Sequence, residues 1–193
     1  MSMEHKAFVF DTERFHAEIE PVMRDSIGDI EVAHRYICDH LDELQSPYTG
    51  DALDEDWEEE FGELTLQVCF DIMLTACYEV DDDMGLCDMW DAVNEVIGEL
   101  DILDEPQIAV LGREVKIGDI LVDPGMMGLG LVEDDEASEI LNILSENRDK
   151  AESVEPEELL YDAEPDEWME AYDDLCGIYE EAVRQGKGLL FTF

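Results

Sequence analysis

His34 and Cys38 stand four residues apart, which puts an imidazole and a thiol on one helical face, the spacing of two ligands to one metal ion. No second pair accompanies them, and both fall among the apolar series Ile30, Ile37, Leu41 and Leu44, so core packing is their expected role. The stretch Gly125-Met126-Met127-Gly128-Leu129-Gly130 has the order GxxGxG of a phosphate-cradling loop. Four carboxylates, Glu133, Asp134, Asp135 and Glu136, follow where the phosphate would sit and would repel it, so a turn between strands is expected. Calcium is tested by Asp81-Asp82-Asp83-Met84-Gly85 and by Asp54-Glu55-Asp56-Trp57-Glu58-Glu59-Glu60. An EF-hand needs Gly at its sixth position and Glu at its twelfth; counted from Asp81 those are Leu86 and Ala92, and from Asp54 they are Glu59 and Thr65. HExxH, GxSxG and P-loop motifs do not occur, and carboxylate pairs of every spacing arise by chance in so acidic a chain. The reading is a non-enzyme with no catalytic residue, no metal site and no cofactor.

What the chain carries in quantity is carboxylate. Against 10 Lys and Arg stand 54 Asp and Glu in 193 residues, a formal net charge of −44. Nucleic acid, anionic membrane surfaces and polyphosphates would be repelled beyond a Debye length, which excludes them as direct ligands. The acid is segregated: residues 36–112 hold 23 acids and no Lys or Arg, and residues 133–181 hold 20 acids and two bases. Residues 113–132 hold three acids and two bases, and the last twelve residues carry only Arg184 and Lys187.

The elements that must position these groups follow from periodicity. Ala7, Phe8, Val9 and Phe10 form a short strand, and Asp11 caps a helix that buries Phe15, Ile19 and Val22. A second helix runs from Ile30 to Leu44, until Pro47 and Gly50 break it. Over residues 63–80, Glu63, Gln67, Asp71, Thr75 and Glu79 recur every four residues amid apolar neighbours, the pattern of a mostly buried central helix with a narrow polar stripe. Another helix is expected from about Leu86 to Leu100. Residues 108–132 read as two or three strands with turns at Gly112, Gly118, Pro124, Gly125 and Gly128. Helical period returns at Ala137, Ile140, Leu141 and Leu144; a connector spans residues 147–165, and a last helix buries Trp168, Tyr172, Leu175 and Tyr179, with Gly186 as C-cap. Leu189 to Phe193 ends as an apolar strand whose exposed edge would support self-association. The expected fold is α+β, one helix-rich acidic domain over residues 1–193 with a small, mostly antiparallel sheet that includes both chain ends.

The five cysteines, Cys38, Cys69, Cys77, Cys87 and Cys176, are odd in number and form no CxxC, so buried thiols are expected. Trp57 shares a helical face with Phe61 and Leu64 and is expected in the core rather than as an interface anchor. The opening MSMEHKAFVF lacks a secretory pattern and no run of about 18 apolar residues occurs, which points to a cytoplasmic protein.

Phe8-Val9-Phe10-Asp11, Leu53-Asp54-Glu55-Asp56-Trp57, Leu160-Tyr161, Tyr179-Glu180-Glu181-Ala182 and Gly186-Lys187-Gly188-Leu189-Leu190 together resemble the YfbM-like bacterial family, chiefly in the C-terminal third. The Leu-Leu-x-Gly stretch that usually follows that family's Trp is missing, and the family is less acidic. The resemblance implies an uncharacterised α+β domain in a bacterial or phage setting, with no catalytic residue to carry over.

Acids at i and i+4 lie about 6 Å apart along a helix axis, a repeat on the scale of a phosphate backbone. The expected function is therefore an acidic binding protein, of DNA-mimic or toxin-immunity type, that inhibits or masks a basic, nucleic-acid-binding protein. Its expected surface is the carboxylates of residues 39–105, with those of residues 133–174 as a second patch, and its expected partner contacts are Asp54, Glu55, Asp56, Glu58, Glu59, Glu60, Asp81, Asp82, Asp83, Asp88, Asp91 and Glu95; a homodimer is left open. The alternative is a salt-adapted (halophilic) or housekeeping acidic domain.

Overall fold

Gly188–Thr192 presents apolar residues to both sides of a strand: Leu189 and Phe191 point one way, Leu190 the other, and all three are buried. A strand apolar on both faces demands cover on both, and the chain supplies it. The computed structural model describes residues 4–122, 128–154 and 164–193. Five strands, β1 (Lys6–Phe10), β2 (Arg113–Ile117), β3 (Ile120–Val122), β4 (Leu129–Val132) and β5 (Gly188–Thr192), form an antiparallel sheet of order β1-β5-β4-β2-β3. Both ends of the chain lie in it, with Lys6 paired to Thr192 and Phe10 to Gly188. β5 is thus an interior strand between β1 and β4, which corrects the expectation that it offers a free edge.

One face of the sheet is covered by the N-terminal half. Asp11 accepts a hydrogen bond from the Arg14 amide at 2.9 Å and starts α1 (Thr12–Arg14), which continues through a π turn, Phe15–Ile19, into α2 (Glu20–Ser26). Then come α3 (Glu31–Asp39), α4 (Glu58–Phe61) and α5 (Leu66–Leu74), the last ending in a 3₁₀ turn, Thr75–Cys77. Their buried Phe15, Ile19, Ile37, Trp57, Phe70 and Met73 pack with Phe8, Phe10, Leu131 and Leu190 of the sheet. The opposite face takes α6 (Trp90–Leu100), α7 (Ile108–Leu111), α8 (Asp134–Ala151) and α9 (Pro165–Gln185), whose Val93, Leu144, Tyr172 and Tyr179 pack with Ala7, Val132, Leu189 and Phe191. Helix–sheet–helix layering of an α+β chain is the result.

Caps fall where the side chains dictate. Glu164 and Glu167 form a capping box around Pro165, and Gly186, at φ +66°, closes α9 in the left-handed conformation. Asp134, Asp135 and Glu136 fill the first turn of α8 and Arg148 and Lys150 its last, matching the helix dipole; α8 reaches Ala151 and so takes in the first five residues of the expected connector. Ile108–Leu111, read as strand, is a helical turn crossing β4 so closely that a Cβ on Gly130 would stand 1.7 Å from the Leu111 carbonyl oxygen. Tyr179 Oη donates to Ala109 O of that turn at 2.9 Å, and Tyr172 Oη to Leu144 O at 2.9 Å. Gly125, Met126 and Met127 lie outside the described residues; Gly128, with φ +90°, leads into β4.

The outer side of β1 is sealed by residues 83–87. The Met84 amide donates to Ala7 O at 2.9 Å, the Ala7 amide to Asp83 Oδ1 at 3.1 Å, and His5 and Cys87 form an antiparallel bridge. His5, fully buried, adds a side-chain tie: Nδ1 accepts from the Leu86 amide at 3.1 Å, so Nε2 carries the proton and donates to Val110 O at 2.7 Å.

Candidate partner-binding surface

Between α3 and α5 the chain alternates anchors with displayed acids. Leu53 (8% exposed) and Trp57 (1%) are held in the core, and Trp57 lies against His34 and Phe61 with ring centroids 5.6 and 6.2 Å away. Because Trp57 points inward, its neighbours point outward: Asp54, Glu55, Asp56, Glu58, Glu59 and Glu60 are all exposed. The turn that presents them is local, Asp54 Oδ1 accepting from the Asp56 amide at 2.8 Å. Among the described residues none of these six is ion-paired to a Lys or Arg; Glu58 meets only His34, at 2.7 Å.

The remaining predicted contacts divide. Asp81, Asp82 and Asp83 are exposed, but Asp83 also accepts from the Ala7 and Gly85 amides, at 3.1 and 2.9 Å, and so holds the seal on β1. Asp88 and Glu95 are half-buried, and Asp91 is only 8% exposed, which removes it from the displayed set: α6 turns this face toward the protein.

Folding joins Asp81, Asp82 and Asp83 to acids that the sequence reading left out. A cleft of about 850 Å³ opens at the end of the sheet where β1 leaves and β5 enters. Its lining includes Asp11, Asp42, Glu43, Glu79 and Glu181 as well as these three aspartates, against two bases, Arg14 and Lys187. Both bases are occupied: Arg14 binds Glu18, Glu43 and the Ala76 carbonyl, and Lys187 stands 3.5 Å from Asp11. Glu181, bonded by Arg184 and Gln185, is held down at about 2. The cleft is therefore a concentrated negative potential. Its thiol, Cys77, is pushed up to about 12 by burial, so it lacks nucleophilic character. The signals that would have found this cleft are spread from Asp11 to Glu181 and meet only through the pairing of β1 with β5.

His34 and Cys38 depart from expectation. The buried positions of α3 are Ala33 and Ile37; Cys38 is exposed and His34 half-buried beside it. Of the other cysteines, Cys69 and Cys77 are buried as expected, Cys176 is half-buried and Cys87 is exposed. Neither His34 nor His40 lines the acidic cleft. Among the described residues, no three His, Cys, Asp or Glu side chains come together as a metal site, and no helix is long and apolar enough to cross a membrane.

An antiparallel sheet covered by helices on both faces, with carboxylates displayed on both layers, is the class that fold and surface define. In comparison with known proteins, no family model, curated protein or solved structure matches the chain.

Proposed function

We propose that the protein is a non-enzymatic acidic binding protein that masks or inhibits a basic, nucleic-acid-binding protein. The observation that carries this reading is the fate of the 77 residues, 36–112, that lack Lys and Arg: they fold so that Asp54, Glu55, Asp56, Glu59, Glu60, Asp81 and Asp82 are displayed without a Lys or Arg partner among the described residues. Unpaired carboxylates close together repel one another and cost stability, a cost that a cationic partner offsets. The acidic cleft adds a recess for a protruding Lys or Arg. The resemblance to the YfbM-like family supplies a bacterial or phage setting for such a partner.

Acids also crowd the opposite layer, where Asp134, Asp135, Glu139, Asp166, Glu167, Glu170 and Asp174 are exposed, and this favours salt adaptation as a second reading. Two experiments separate them. A circular dichroism melt in low salt and in several molar KCl comes first: a cooperative melt already present at low salt supports the partner reading, and folding only at molar salt refutes it. Basic proteins captured on the immobilised protein are then challenged with duplex DNA and with KCl. Release by both is the expected result; retention unchanged to about 1 M, where the screening length is roughly 3 Å, rules out an electrostatic mask.

A further inference from the structure

We propose that Cys38 is a reactive thiol, activated by His34 and positioned through Glu58, that exchanges with small cationic disulfides. Cys38 Sγ lies 3.8 Å from His34 Nδ1, and His34 Nε2 lies 2.7 Å from Glu58 Oε1. The carboxylate keeps the imidazole proton on Nε2 and leaves Nδ1 bare to take the thiol proton, the order of nucleophile, base and orienting acid that thiol chemistry requires. Trp57 fixes the ring from beneath: it is 1% exposed, packs on His34 with ring planes 40° apart, and directly precedes Glu58. The sulfur contact is loose for a hydrogen bond and tightens when the imidazolium–thiolate pair forms.

The other thiols are built differently. Burial pushes Cys69 and Cys176 up to about 11 and Cys77 up to about 12. Cys87 is exposed like Cys38, yet partial desolvation and then Glu4, Asp83 and Asp88 raise it. None of these four sulfurs is hydrogen-bonded to an imidazole among the described residues.

In the exchange, the Cys38 S–H proton passes to His34 Nδ1 and the thiolate attacks one sulfur of the incoming disulfide. The S–S bond breaks, a Cys38 mixed disulfide forms, and the departing thiolate takes the proton from His34. Cys38 is oxidised and the small disulfide reduced. A net charge of −44 draws in a cationic disulfide and repels an anionic one.

The test treats the intact protein with cystamine, a dicationic disulfide, and follows each cysteine by peptide mass spectrometry. Cys38 is expected to react at least about tenfold faster than Cys87, short of the roughly 100-fold low end of general-base assistance because the contact is loose. H34Q should bring Cys38 to the rate of Cys87, E58Q should lower it several-fold and E58D should restore most of it, with the circular dichroism melt checked for each. Should H34Q fail to fold, the Cys38 to Cys87 ratio in the unaltered protein still decides. Equal rates at the two cysteines, or an H34Q rate like the parent's, overturns the activated thiol; oxidised glutathione reacting as fast as cystamine overturns the charge selection.

Discussion

Replacing Asp54 and Asp56 by Asn and Glu55, Glu59 and Glu60 by Gln removes five displayed charges and leaves Glu58 to its contact with His34. The amide introduced by D54N retains an oxygen for the backbone N–H of residue 56, so the turn keeps its hydrogen bond. Neighbouring carboxylates about 7 Å apart in water repel by roughly 0.6 kcal/mol per pair. Relieving the adjacent pairs at 54–55, 55–56, 58–59 and 59–60 stabilises the fold by at most about 2 kcal/mol at low ionic strength, because chain neighbours keep part of the same repulsion when unfolded. Screening cuts this below about 1 kcal/mol in 0.15 M salt and abolishes it near 1 M. Binding moves the other way: at roughly 0.5 kcal/mol per lost surface contact, partner affinity falls about seventy-fold. The assay is urea unfolding followed by circular dichroism at three KCl concentrations, paired with partner titration in 0.15 M salt. A variant less stable than the parent at low salt would refute the reasoning, because it would mean that these carboxylates already satisfy something within the protein. A gain that persists at 1 M would equally remove charge repulsion as its cause.

The two best-placed histidines titrate in opposite senses. Burial lowers His5, despite the opposing Val110 carbonyl and Asp83, so its contribution is complete above pH about 6.5 and is lost as pH falls toward the folded-state value; proton NMR should show its ring still neutral below that pH. His16 is desolvated but raised by Glu20 and Glu133, 2.8 and 3.0 Å away, so its contribution is complete below about 6.5 and fades as pH rises through the folded value; E133Q should lower its NMR midpoint. G130A forces a methyl into the Leu111–Gly112 backbone and should cost at least about 3 kcal/mol in urea unfolding, whereas G98A, with nothing within 4 Å on α6, should gain about 0.5–1 kcal/mol; similar effects would mean that α7 does not cross β4 as described. Y179F leaves the buried Ala109 carbonyl without its donor and should cost about 1–2 kcal/mol by the same measurement, with an unchanged stability counting against that bond.

Strong local signals in the sequence translated directly into structure. Asp11 capping α1, the acid-rich start of α8, Gly186 ending α9 and Trp57 turned into the core all follow from short-range chemistry. Residues 108–111 did not, because four consecutive apolar residues carry neither a helical nor a strand period. The polar stripe of α5 was visible, but its burial was not: Asp71 accepts from Gln67 at 2.7 Å, and Thr75 donates to Ile72 O and accepts from the Gln45 amide. Those bonds allow both to be buried, at 2% and 4% exposure. Likewise β5 was legible as a strand, though not as an interior one, since pairing order depends on partners nearly the whole chain away. The acidic run 54–60 could be read locally; the cleft could not, because the sheet assembles it from both ends of the chain.

That closure governs how the protein can be made. Lys6 leaves the ribosome long before its partner Thr192, so β1 waits through the translation of everything between them without the strand it needs. The 83–87 segment can cover only one of its sides meanwhile. The core on either face draws on β5, through Leu189 and Phe191 on one and Leu190 on the other, so each layer lacks part of its apolar floor until that strand arrives. Folding then awaits the emergence of β5 and is slow by virtue of its long-range pairing. Until then, the dense negative charge of residues 36–112 keeps neighbouring nascent chains from sticking to its waiting apolar strand.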